Sequence, residues 1–121
     1  MARYVDGFVI PIQKKKVKDY LRMAKLGAAM WKEHGALAYA ECIAEDLAVP
    51  WGMGFKKMAK LKPGETVVFS WIVYRSRAHR DKVNAAVMKD PRMSEQAMAS
   101  MKMPFDPKRM AMGGFEVIVS W

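Results

Sequence analysis

One cysteine in 121 residues excludes an internal disulfide, and with only two histidines the chain offers no spacing that would hold a zinc ion. No stretch approaches the roughly 18 uninterrupted apolar residues that a membrane-spanning helix needs, because Lys, Arg, Asp or Glu breaks every hydrophobic run. The Met1-Ala2-Arg3-Tyr4 start lacks the charged-then-apolar pattern of a secretory signal, so the expectation is a soluble protein of the cytosol. Gly113-Gly114 lacks the strand-to-helix setting and the third glycine of a dinucleotide loop, and no Walker-type segment occurs. No cofactor and no metal are therefore expected. The chain also lacks internal repeats and low-complexity tracts.

What is present is a chain that is 52% apolar, enough for one domain over residues 1–121 with a single core. Its net charge of +9 invites a nucleic-acid reading. The positive residues are spread, however, over Lys14 to Lys18, then Lys56, Lys57, Lys60 and Lys62, then Arg75, Arg77, Arg80 and Lys82. Each group falls at an element end or on an exposed helix face, which favours a solvated, solubilising surface. A basic RNA-binding protein using the Arg75 to Lys82 patch stands as the alternative. Phe69 and Trp71 would suit an aromatic RNA platform, but Thr66 to Ile72 lacks the basic-Gly-aromatic pattern of such strands.

Tyr4 to Ile12 alternates and is rich in Val, Ile and aromatics, which predicts a strand. From Lys14 the period changes: Val17, Leu21, Ala24, Ala28 and Trp31 recur on one helical face with Tyr20 and Gly27 beside it, and Gly35 sits where a left-handed terminator belongs. Ala36 to Ile43 and Glu65 to Tyr74 predict two further strands. Ser76 caps a second helix to about Lys89, and Asp90-Pro91 starts a third short helix carrying Met93, Ala97, Met98 and Met101. Ala111 to Trp121 closes the chain as a strand opened by Gly113-Gly114. The order is β-α-β-β-α-β with an added helix, an α+β ferredoxin-like sheet with helices on one face. Both faces of the strands are substantially apolar, so the face without helices should be buried against a second copy, giving a homodimer.

Tyr4-Val5-Asp6-Gly7-Phe8, Glu33 to Leu37, Glu65 to Trp71, Asp90-Pro91-Arg92-Met93, and Pro104-Phe105-Asp106 with Lys108-Arg109-Met110 and Gly113-Gly114-Phe115 together resemble one family. It is the YbaA-like family, a bacterial domain-of-unknown-function family numbered 1428, within the dimeric α/β-barrel superfamily. The resemblance implies a ferredoxin-like protomer whose sheet packs on a partner's sheet to make a barrel with a cavity in each subunit. Superfamily branches include cofactor-free monooxygenases, haem-degrading enzymes, lactone isomerases and simple binders, so the resemblance leaves activity and haem binding open.

The candidate ligand is a small, largely apolar or aromatic molecule in the cavity between sheet and helices. Tyr4, Phe8, Phe69 and Trp71 are candidates for its apolar lining, although one register step decides which face Phe69 and Trp71 occupy. Asp6, Glu41, His34, Arg92 and Arg109 are candidates for the polar end. A partly desolvated carboxylate there suits general-base work, which makes Asp6, His34 and Glu41 the catalytic candidates for a cofactor-independent oxygenase or isomerase. The competing reading pairs Asp6 and Glu41 with Arg92 or Arg109 as architecture. His34 reads as a helix-end residue or a proton shuttle, Cys42 as a small buried hydrophobe, and the twelve methionines as adaptable core and lid packing.

Overall fold

Eight elements follow one another along the chain: β1 (Tyr4–Gln13), α1 (Val17–Glu33), β2 (Ala38–Ile43), α2 (Phe55–Met58), β3 (Glu65–Tyr74), α3 (Arg77–Met88), α4 (Glu95–Ala99) and β4 (Ala111–Glu116). The computed structural model describes residues 2–121. The strands form one antiparallel sheet in the order β2-β3-β1-β4, with the two β-α-β crossovers placing α1 and α3 on the same side. This is the α+β ferredoxin-like fold. Among the described residues no helix is long and apolar enough to cross a membrane.

Local chemistry sets the element ends. Gly35 takes φ +105 after α1, a conformation that residues with a Cβ rarely adopt. Ser76 caps α3 by accepting from the His79 N–H at 3.1 Å, and Ser94 caps α4 by accepting from Ala97 N–H at 3.1 Å. Asp90 opens only a 3₁₀ turn, Pro91–Met93, instead of the helix expected there, because Ser94 is extended and restarts the helix with its own cap. The last strand ends at Glu116 and not at Trp121: Glu116 lies opposite Tyr4, where β1 begins, so further ladder partners run out. Gly113 and Gly114 lie inside β4 and do not open it. The short α2 had no counterpart in the periodicity.

Register separates the two faces of the sheet. Tyr4, Asp6, Phe8, Ile10 and Ile12 of β1 share the helix side with Val68, Ser70, Ile72 and Tyr74 of β3 and with Tyr39, Glu41 and Ile43 of β2. The core forms there in two clusters, one around Ile10, Ile12, Tyr20, Ala24 and Val68, the other around Ile72, Tyr74, Val83 and Val87. The buried stripe of α1 runs through Tyr20, Ala24 and Met30, while Leu21, expected on it, is half exposed. The larger Tyr20, whose hydroxyl reaches Glu41, takes the place over the sheet.

The other face carries neither of the long helices; Leu47 and, from α2, Phe55 approach it beside Val9, Cys42, Val67 and Phe69, around a hollow of about 250 Å³. The face carries Val5, Val9, Ala40, Phe69, Trp71 and Phe115, with Phe69 and Phe115 at 47% and 61% exposure. Cys42 lies on this face as well and is exposed in the single chain, contrary to its expected burial. From Val5 to Pro11 and from Val67 to Val73 this face bears no charged side chain.

One glycine is required by packing. Tyr4 leans diagonally across β4, so that a Cβ at Gly114 would meet its ring atoms Cε2 and Cζ at 2.7 Å. On the ring's side the Arg80 guanidinium stands 4.9 Å from the centroid, a cation–π contact. Gly114→Ala should therefore displace Tyr4 and destabilise the fold by about 1–3 kcal/mol, the usual cost of overpacking. Urea unfolding measures this, and an unchanged midpoint would show that the ring is not confined.

Candidate functional site

Between the helix side of the sheet and the helices lies a cavity of about 280 Å³. For comparison, an apolar cavity of about 150 Å³ is enough to hold benzene. A larger depression, of about 480 Å³, runs between α1 and residues 101–104, but Lys16, Asp19 and Arg22 line it as a surface cleft without a converging polar set. In the sheet–helix cavity the apolar wall comes from Phe8, Ile10, Ile72, Phe105 and the methionines Met23, Met88, Met110 and Met112. The methionines that line it thus come from α1, α3, β4 and the segment before it, and none comes from α4.

The polar side of the cavity is built on alternate residues of neighbouring strands. Glu41 and Tyr39 are two apart on β2 and so share a face, and Ser70 of β3 lies opposite Glu41. The Tyr20 hydroxyl of α1 donates to Glu41 Oε1 at 2.6 Å, and the Tyr39 hydroxyl donates to Oε2 at 2.5 Å. These are short, charge-assisted bonds. Burial first, and the bond to Glu41 second, push both phenols well above their ordinary range, so they remain protonated donors.

A second polar group lies next to the first. Trp31 Nε1 is 3.1 Å from both the Tyr74 hydroxyl and Asn84 Oδ1, and the Tyr74 hydroxyl donates to the same Asn84 oxygen at 3.2 Å. Burial, followed by the charge of Asp6, raises the Tyr74 phenol as well. Asp6 itself is held by Arg80, Nη1 to Oδ1 at 2.7 Å, and Arg80 also bonds Asp81 at 2.7 Å. With its side chain 18% exposed, Arg80 is drawn inward from the basic patch of α3. Among the described residues, no group of three or more His, Cys, Asp or Glu side chains is placed to hold a metal.

The structure brings Asp6, Phe8 and Glu41 to one cavity and puts the other candidates elsewhere. Tyr4 is set back from it, under Arg80. Phe69 and Trp71 lie on the opposite face, because their register partners Val9 and Gly7 point away from the helices. They do not line the cavity.

The remaining candidates serve as ties between elements. His34, just past the end of α1, places Nε2 2.9 Å from Asp90 Oδ2, and Arg92 grips the same carboxylate through Nε at 2.9 Å and Nη2 at 2.6 Å while reaching Glu33 at 2.7 Å. Those bonds hold the Asp90 carboxyl far below the ordinary range, Arg92 contributing most and His34 next. Arg109 makes a bidentate pair with Glu65, 2.6 and 2.9 Å, and caps the Lys60 carbonyl at 2.9 Å. Neither arginine meets Asp6 or Glu41, so the expected architectural pairing is also replaced, by Arg80 for Asp6 and by two tyrosines for Glu41.

Sequence reading missed Tyr20, Trp31, Tyr39, Arg80 and Asn84 as parts of this site. Tyr39 carried a usable signal, its period-two spacing from Glu41, and so did Tyr20 and Trp31 on the apolar stripe of α1. Asn84 and Arg80 on α3 carried none.

The chain matches the family described as "Protein of unknown function (DUF1428)" over residues 3–107. It is 44% identical to the uncharacterized protein YbaA of Escherichia coli K12 over 117 residues, covering 97% of each chain, and equally so to that of Shigella flexneri. Among solved structures it is similar to a dimeric ferredoxin-like protein from an uncultured marine organism, with a TM-score of 0.66 at 10% identity over the full length of both chains.

The Glu65–Arg109 pair predicts an acid limb. Hydrogen bonds from Arg109, then from the Lys62 N–H, lower the Glu65 carboxyl from its ordinary 4.5 to about 2. A carboxyl depressed on folding stabilises the native state above its ordinary value, and that contribution is lost as pH falls from 4.5 towards 2. Glu65→Gln should therefore lower stability at neutral pH and flatten that part of the limb. Urea midpoints taken across the range would show parallel limbs if the pair contributed nothing.

Proposed function

The chain belongs to the DUF1428 family, and on that premise we propose that it is a small-molecule-binding protein that works as a homodimer, with its ligand held in the sheet–helix cavity. The observation that carries this reading is the Glu41 carboxylate, fixed by two tyrosines at the polar side of a largely apolar cavity. A small number of placed polar groups in an apolar enclosure is the usual construction of a ligand site. Of the three catalytic candidates, Glu41 is the one that meets the cavity without a cationic partner; Asp6 is committed to Arg80 and His34 to Asp90. Any base chemistry in this protein would therefore start at Glu41.

The uncovered sheet face supports the dimer. An apolar surface that spans all four strands is costly to leave in water, and a second copy offers the same surface in return. The similar marine protein is described as dimeric and shares the fold.

Two outcomes test these statements. Trp71→Glu should dissociate or unfold the protein, since a lone charge buried in an interface of about 800 Å² per partner costs several kcal/mol. Sedimentation of the wild type as a stable monomer at micromolar concentration would overturn the dimer. In the cavity, Met88→Trp should fill space and weaken a one-ring probe such as phenol by at least about tenfold. Calorimetry giving equal affinity for both proteins would place the probe elsewhere.

A further inference from the structure

The hydrogen-bond inventory of the cavity is one-sided. Tyr20 and Tyr39 each spend their hydroxyl proton on Glu41, Tyr74 spends its proton on Asn84, and Trp31 directs its N–H at Tyr74 and Asn84. What remains facing the cavity is mostly acceptor: the unused lone pairs of Glu41, about two of a carboxylate's four, and the oxygens of the two tyrosines. Only the Ser70 hydroxyl and the Asn84 amide nitrogen could still donate.

The charge inventory points the same way. No lysine, arginine or histidine lines the cavity, and among the described residues Glu41 has no salt-bridge partner, its charge being held only by neutral donors. Asp6, the other acid in the lining, is already paired with Arg80, which it shares with Asp81. The chain's net +9 acts from the outside and is screened over about 10 Å at 0.1 M salt, whereas Glu41 acts in contact.

The surroundings are aromatic. The Trp31 and Tyr39 rings lie 6.4 Å apart at 43°, and Tyr20 and Phe105 meet edge to face at 5.8 Å. Aromatic faces and an uncompensated carboxylate together are what an organic cation needs, and they are a poor setting for an anion.

We infer that the cavity takes a protonated organic amine with a small apolar body, its ammonium group donating to Glu41 and its body lying among Phe8, Trp31, Tyr39, Phe105 and the methionines. This rests on the cavity being a ligand site at all. It adds the sign of the ligand's charge and the direction of its hydrogen bonds. Tyr20 and Tyr39 act as positioning residues, holding both carboxylate oxygens in place, and burial keeps both phenols protonated donors at neutral pH.

The test compares three probes of nearly equal shape by calorimetry at pH 7: 2-phenylethylamine, 2-phenylethanol and 3-phenylpropionate. The amine should bind the wild type at least about tenfold more tightly than the alcohol, as a charge-assisted bond requires, and the carboxylate should bind weakest. Glu41→Gln should remove the preference for the amine, lowering the amine's affinity by at least about tenfold more than the alcohol's. Tyr39→Phe keeps the carboxylate and should keep the preference, which separates the role of the charge from any loss of fold. If the alcohol or the carboxylate binds as well as the amine, the inference of a cation fails and the cavity reading survives. If none of the three binds, both fail.

Discussion

Glu41 carries a negative charge into the layer between sheet and helices, and the cost of keeping it there organises its neighbours. A half-buried carboxylate without a counter-ion is costly unless hydrogen-bond donors meet it. Here one donor comes from the strand itself, Tyr39, and the other from the helix above, Tyr20. The contact thereby ties α1 to β2 and fixes which side of α1 faces down. Tyr20 takes the buried position in place of Leu21, and Trp31, three turns on, falls over the Tyr74–Asn84 pair. A polar requirement at one strand position thus sets the rotation of the longest helix.

The paired charges further from the cavity divide into anchors of a different kind. Asp90 joins the end of α1, through His34, to the segment after α3, through Arg92. Glu65 joins the start of β3 to the Pro107–Arg109 turn, which delivers the chain into β4. Both carboxylates are nearly buried and both arginines partly exposed, so each pair stiffens a loop, and neither reaches the sheet–helix cavity. Their sequence surroundings, Pro next to charge in a loop, resembled those of site residues. The difference is one of partners, and partners become visible only in three dimensions.

How much could be read beforehand follows from which interactions are local. The strand and helix order, Gly35 as terminator, the Ser76 cap and the apolar second face of the sheet all depend on residues within a few positions of one another, and all were readable. The alternation that placed Asp6 with Phe8 and Tyr39 with Glu41 was local too, and those residues do share a face. What lay beyond reach was pairing over long sequence separation: Arg80 with Asp6, Trp31 with Asn84, Arg109 with Glu65. The sides taken by Phe69 and Trp71 depended on the register of β3 against β1, which no single strand specifies. The end of β4 was likewise set by where its neighbour began.

That register has a consequence for how the protein can vary. Along β3 the even positions, Val68, Ser70, Ile72 and Tyr74, build the cavity and core, while Phe69, Trp71 and Val73 belong to the opposite face, where Val67 is already buried beside Leu47 and Phe55. The residues that bear on the proposed ligand and those that bear on the proposed dimer are therefore interleaved on one strand, and substitution in either set leaves the other face unchanged. Insertion or deletion of a single residue in β3 would do the opposite. It would turn Ser70 towards the outside and Phe69 towards Glu41, reversing both faces of the strand at once.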